Sequence, residues 1–258
     1  MGHQHLLSLP RTREWQEVLG LLTGGGDLAS IAAATSRAAQ LSMIDASDDE
    51  VVRHSFYLLT QVPLAARSAD FVHALRRTGL DVGTNPDLIE IGTAMMGTID
   101  RFILSRGVRT DYGEIAQLAA VESLQAVVGR ELDDLLGADQ RLRTTLAGFA
   151  EPRQFAVMAR DFFARLTRRH LNFYLSRELL AHVGAGQRFP SLMEHEAFES
   201  ALDLHCREAS RIIKEFSAGW FYKHTAEGGI DRELAGRFVH VAAGKVRDEL
   251  VRRDIAHA

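Results

Sequence analysis

The chain has one cysteine, Cys206, in 258 residues. A lone thiol makes no intramolecular disulfide and no zinc-finger framework. Prolines number five, so few positions interrupt a helix. Of the 30 basic residues three are lysine, which leaves 27 arginines. No run of about 18 apolar residues occurs, so no spanning helix is expected. The opening stretch MGHQHLLSLPRTREW has no charged region ahead of an apolar one, so a secretory leader is not expected and the cytoplasm is the expected location. The net charge of −4 excludes attraction of the whole molecule to nucleic acid or anionic membrane and leaves room only for a local patch.

What is present favours helix. Alanine, leucine, glutamate and arginine are frequent. The hydrophobic share of 46% and charged share of 25% are those of an ordinary globular protein. No period-two apolar run lies between hairpin turns. The chain reads as all-α, a bundle of about nine to ten helices, shorter ones N-terminal and longer antiparallel ones C-terminal. It is taken as one unit with a soft boundary near residues 148–152.

Local signals place the elements. Asp27 caps LASIAAATSRAAQL, and Ser47 with Glu50 has capping-box spacing before VVRHSFYLL. Pro63 is expected to open a further helix that stops at Gly79. Asn85 and Pro86 fit an N-cap and a first helical position. Leu88, Ile91, Met95, Ile99 and Phe102 then form one apolar stripe. Asp111 and Glu114 repeat the capping-box pattern, ahead of Leu118, Val121, Leu124, Val128, Leu132 and Leu135. Pro152 begins a long helix to about Val183. A second long helix is expected from Ser191 to about Ser217, and EGGID separates it from the last, Arg232 to about Asp254. Gly92 and Gly97 sit inside a helix, where small residues allow close approach of a neighbour.

The helix after Pro152 is the most charged segment. From Arg153 to Arg177 it holds six arginines and one acid, Asp161. Phe155, Phe162, Leu166, Phe173 and Leu180 form its core-facing stripe. Arg160 and Arg168 lie away from that stripe, and Arg165 and Arg169 flank it. The following helix starts acidic, with Glu194, Glu196, Glu199 and Asp203. An antiparallel turn would lay acid against base, which makes internal pairing the simple expectation. The alternative is a basic patch for phosphates, with Arg160, Arg165, Arg168 and Arg169 as its nucleic-acid-binding residues.

Arg165 and His170 have an Arg-x4-His spacing that resembles the motif of HEPN-domain ribonucleases, which are also helical bundles. The resemblance covers these two residues only. It implies that His170 assists proton transfer at a 2′-hydroxyl or leaving group while Arg165 steadies phosphate charge. Leu166 stands where many members of that family carry a polar residue. The same spacing recurs at Arg177 with His182 and at Arg252 with His257.

Other clusters have plainer readings. His195, Glu199 and Asp203 share a helix face, but a closed metal site needs a fourth ligand, and no metal is expected. His205 and Cys206 are adjacent and point about 100° apart, so they are not a base–nucleophile pair. TGGGDL lacks the lysine and hydroxyl of a phosphate loop. His3 and His5 lie in the N-terminal tail. Trp220, Phe221 and Tyr222 are consecutive, and three adjacent aromatics cannot all face one core, so they are the candidate partner-binding residues.

The function these observations point to is a non-enzymatic helical interaction or scaffold subunit of a larger assembly, with a protein partner or self-association and no cofactor. The alternative is a nucleic-acid-binding module or HEPN-like ribonuclease, of the sort found in bacterial conflict and defence systems, that uses the basic helix. A small-molecule site between helices is the third reading.

Overall fold

The computed structural model describes residues 12–107, 109–133, 139–181 and 191–256. Over these residues the chain is helical and without strands. The helices are α1 (Arg13–Thr23), α2 (Leu28–Ala38), α3 (Gln40–Asp48), α4 (Glu50–Ala66), α5 (Phe71–Arg77), α6 (Leu88–Arg106), α7 (Asp111–Asp133), α8 (Asp139–Gly148), α9 (Pro152–Ala181), α10 (Leu192–Ala209), α11 (Arg211–Ala226) and α12 (Arg232–Ala256). No described helix is long and apolar enough to cross a membrane.

Carboxylates and hydroxyls start most of these helices by accepting otherwise unpaired backbone N–H groups. Thr12 caps α1, and Asp27 caps α2 through the Ser30 N–H at 2.9 Å. Asp231 caps α12 through the Leu234 N–H at 2.7 Å. Three starts differ from the sequence expectation by one or two residues. Asp49 caps α4, accepting from Val51 and Val52, while Ser47 lies inside α3 with its hydroxyl on Ile44 O. Asp87, and not Asn85, caps α6 through Glu90 N–H. Thr110 accepts from Gly113 N–H at the start of α7. In each case a nearer side chain of the same chemistry takes the role.

Two further corrections concern helix continuity. Pro63 does not open a helix: it lies inside α4 and is buried there. The missing N–H removes one intrahelical bond. Val62, Ala65 and Ala66, buried around it, hold the last turn against the core. Conversely, the expected helix from Ser191 to Ser217 is two helices, α10 and α11, broken at Ser210. Ile213 N–H bonds back to Ser210 O, a tighter three-residue step that turns the chain. α6 ends as a left-handed glycine cap requires, with Gly107 at φ 69°.

The main core joins α4, α6, α7, α9, α11 and α12, with α5 and α8 at its edge. It crosses the 148–152 region, since α4 and α9 pack through Phe56 and Phe162. A smaller cluster joins Trp15, Val18, Ile31, Leu171, Leu175, Phe198, Leu202 and Cys206, so the last turns of α9 pack with α1, α2 and α10. α9 is thus the axis shared by both. Its neighbours α7 and α10 run antiparallel to it: Glu122 meets Arg165 and Arg169, and Tyr112 meets His170. On the α10 side Arg160 meets Glu208 and Arg168 meets Asp203.

Gly92 lets α6 approach α7 closely, because a Cβ there would lie 2.7 Å from the Gln125 amide and 3.3 Å from Val121. Gly97 has no such role: its Cβ would meet only the Arg101 side chain, at 3.6 Å.

Candidate functional site

The basic face of α9 is answered by carboxylates from three helices. Arg165 bonds Asp161 at 2.5 Å, one turn earlier, and reaches Glu122 of α7 at 3.3 Å. Arg169 also pairs with Glu122. Arg168 meets Asp203 of α10 at 3.2 Å. Arg160 donates to the Arg207 carbonyl at 3.0 Å and lies 4.0 Å from Glu208. Arg207 closes the network onto Asp203 at 2.6 Å and Asp161 at 3.6 Å. Asp161 is the deepest member, its side chain 6% exposed.

The four arginines expected as phosphate contacts therefore all have internal partners. A phosphate placed there would have to displace a carboxylate from each guanidinium, which removes most of the gain from counterion release. The antiparallel α9–α10 pairing expected from the charge pattern is present at Asp203 and Glu208. Glu199 takes a different role and accepts from Asn172 at 2.8 Å.

Arg165 and His170 do not converge. Five helical residues rotate the chain by about 140°, so the two side chains leave α9 on different sides. Arg165 points to its carboxylates. His170 is buried at 2% exposure against Tyr112, with ring centroids 5.4 Å apart. It lines a small cavity among Met43, Ile115, Phe163, Leu166 and Val246. That cavity offers about 20 Å³, room for one water and not for a nucleotide. Burial pulls the His170 pKa down from 6.5 to about 4, so the imidazole is neutral at pH 7. The geometry thus gives no shared cleft for the HEPN-like pair. His182, His257, His3 and His5 lie outside the described residues, as does the Arg177 side chain.

The three aromatics lie within α11 and divide between core and solvent. Phe221 is fully buried and stacks on Phe155 at 4.0 Å. Trp220 packs on Phe238 at 4.4 Å and borders Phe56 and Phe155. Tyr222 alone faces out, at 65% exposure. Of the triplet only Tyr222 presents a surface that a partner could reach, because Phe221 is fully buried and Trp220 belongs to the core packing. Trp220→Ala would report folding before it reported binding.

Among the described residues no group of three histidine, cysteine or acidic side chains is placed to hold a metal. Asp203 is committed to Arg168 and Arg207, and Glu199 to Asn172. Cys206 is fully buried, and burial next to Asp203 pushes its thiol far above the usual range. Such a thiol is not a nucleophile at neutral pH.

A second buried histidine, His54 on α4, is stacked on Phe102 at 4.2 Å. Its Nδ1 has no hydrogen-bond partner among the described residues. Burial, together with the Arg232 charge, lowers its pKa to about 4. Arg232 lies over Tyr57 at 5.6 Å and over Phe102 at 5.7 Å, and Arg106 approaches the Phe102 ring at 5.3 Å. His54 carries little signal in the sequence, since one histidine in VVRHSFYLL reads as a core residue.

Both histidines bear on stability. In the unfolded chain each takes a proton below about pH 6.5, and in the fold neither does until about pH 4. The unfolded state therefore binds more protons in that window, and stability is full above pH 6.5 and declines as the pH falls toward 4. At pH 5 each histidine is expected to cost about 2 kcal/mol relative to pH 7.5. Urea titrations at the two pH values would measure this, and His170→Gln should remove about half of the difference. An unchanged pH dependence in that variant would exclude His170 as a source.

Compared with protein-family models, curated proteins and solved structures, the chain finds no match.

Proposed function

We propose that this protein is a non-enzymatic helical interaction subunit that works within a larger assembly or with copies of itself. The supporting observation is where its large apolar side chains remain exposed. Ile89 and Leu104 stand 70% and 80% exposed on the outer side of α6, and Leu192, Met193 and Leu204 stand 67%, 77% and 61% exposed on α10. On α6, Ile89, Thr93, Gly97 and Leu104 fall in a sector about 80° wide, away from the buried Ile91, Met95 and Ile99. On α10, Met193, Ala197, Ser200 and Leu204 lie within about 60° of one another. Isolated exposed leucines are ordinary on a monomer. Apolar residues repeated along one helix face are a feature of contact surfaces.

The internal pairing of the α9 arginines and the buried, neutral His170 favour this reading over a nuclease. The test is the mass of the purified chain by light scattering, with co-purification from its native host. Assembly above a monomer, or a stoichiometric partner, is expected. Leu104→Glu or Leu204→Glu should abolish it while leaving the helical circular dichroism unchanged. A chain that stays monomeric and alone, and loses nothing in either variant, would refute the reading. Salt-sensitive RNA cleavage that disappears in His170→Ala would replace it with the nuclease alternative.

A further inference from the structure

Two open clefts border α5, and they differ in what their charged groups are doing. The larger, about 540 Å³, lies at the N-terminal end of α5. Its arginine, Arg143, is already bonded to the carbonyls of Ala66 and Ser68 at 3.2 and 2.7 Å, and its carboxylate, Asp70, caps α5. The second, about 330 Å³, lies between α4 and α5 and is lined by Tyr57, Gln61, Leu64, Ser68, Arg77 and Thr78, with alanine completing the wall. That volume suits a small organic molecule. Here the charge is uncommitted.

No carboxylate is among the described residues that line the second cleft. Arg77 has no ion pair and no hydrogen bond among the described residues, whereas its neighbour Arg76 holds the Val82 carbonyl at 2.9 and 2.7 Å. A second guanidinium, that of Arg232, lies across the Tyr57 ring at 5.6 Å and likewise has no carboxylate partner among the described residues. On α9, by contrast, four arginines have internal partners. The Asp231 carboxylate also acts on Tyr57, so Arg77 and Arg232 outweigh one acid and leave a net positive charge around a half-buried phenol.

The hydroxyls of Tyr57 and Ser68 have no partner among the described residues and are free to donate. Burial raises the Tyr57 pKa, so the phenol keeps its proton. The Gln61 amide group is held by Thr60 Oγ1 and the Ile230 carbonyl at 3.1 and 3.0 Å, which leaves its own carbonyl oxygen as an acceptor. Leu64 and the alanines supply an apolar wall.

We infer that the α4–α5 cleft binds a small hydroxylated oxyanion, a phosphate monoester or a carboxylate, with Arg77 as its charge partner and Tyr57 and Ser68 as hydrogen-bond donors. Arg232 adds long-range attraction from beside Tyr57. A hydroxyl on the ligand would satisfy Gln61.

Calorimetric titration of the full chain at low salt tests this, with glycerol 3-phosphate, glycerate and uncharged glycerol as probes. One or both anions should bind at a single site and glycerol should not, and the phosphate and carboxylate arms identify which oxyanion is preferred. Arg77→Ala should weaken binding about tenfold or more, the effect of losing a charge-assisted hydrogen bond. Tyr57→Phe should weaken it less. Arg153→Ala, an exposed arginine on α9, should leave it unchanged. Failure of both anions to bind, equal binding of glycerol, or an effect of Arg153→Ala as large as that of Arg77→Ala would overturn the assignment.

Discussion

Replacing Phe56 by alanine is expected to lower the unfolding free energy by about 4 kcal/mol, the middle of the range for truncating a buried phenylalanine. Phe56 has no exposed surface. Its ring lies 5.0 Å from Phe238 of α12, 5.4 and 5.6 Å from Phe162 and Phe163 of α9, and 6.4 Å from Trp220 of α11. Four helices therefore meet at one side chain. Truncation removes the transfer term and leaves a cavity walled by rings whose backbones belong to different helices, so collapse around it is limited. Against a total of about 5–15 kcal/mol, that is a large fraction of the stability. Urea titration measures it as a lower midpoint at unchanged slope. Tyr222→Ala on the exposed side of α11 should change stability by less than about 0.5 kcal/mol. A Phe56→Ala loss below about 1.5 kcal/mol would mean that the aromatic junction is loosely packed.

That junction illustrates which parts of the structure are legible in the sequence. The spacing of Ile91, Met95 and Ile99 on α6, and of Val121, Leu124 and Val128 on α7, is a local property, and all six are buried as the pattern requires. Leu118 belongs to the same α7 pattern and is 38% exposed, because periodicity gives a face but not how far the neighbouring helix extends over it. Leu135 lies outside the described residues.

Helix boundaries depended on competition between nearby signals. Asp49 and Thr110 took the capping roles assigned to Ser47 and Asp111, and a single residue decides which carboxylate or hydroxyl reaches the free N–H groups. Pro63 is a helix breaker by intrinsic preference, yet tertiary burial holds it in α4. Ser210 breaks α10 from α11 with no glycine or proline to announce it.

The candidate sites were less legible, for a different reason. Acid near base was readable between α9 and α10, since the two are joined in sequence. Glu122 was not: it lies 43 residues before Arg165 on α7, and only the packing of three helices brings it to Arg165 and Arg169. The Arg77 cleft depends on which side chains of α4 and α5 share a wall, with no carboxylate among the described lining residues, and that arrangement exists only in three dimensions. In the aromatic triplet, sequence required a division between core and solvent, and the roll of α11 decided that Tyr222 took the solvent side.

The α9 network yields the second large effect. Asp161→Ala is expected to destabilise the chain by about 3 kcal/mol, as removal of one partner from a buried ion pair does. Asp161 stands between Arg165 at 2.5 Å and Arg207 at 3.6 Å, and it is the least exposed acid of the group. Without it two guanidiniums face each other across α9 and α10 with only Glu122 and Asp203 at their outer sides. The cost comes from the stranded charges more than from the lost attraction, so removing a cation as well should return part of it. Asp161→Asn combined with Arg165→Met is expected to be more stable than Asp161→Asn alone, and a double-mutant cycle by urea titration would give the coupling. The same single variant examines the nucleic-acid alternative. If α9 were a phosphate grip restrained by its own carboxylates, Asp161→Ala would gain affinity for a short duplex, with a steep salt dependence. An internal strut predicts loss of stability with no gain in binding. A stability loss under about 1 kcal/mol would instead make Asp161 an ordinary surface partner, and the arginines of α9 would then be far easier to recruit than their pairing implies.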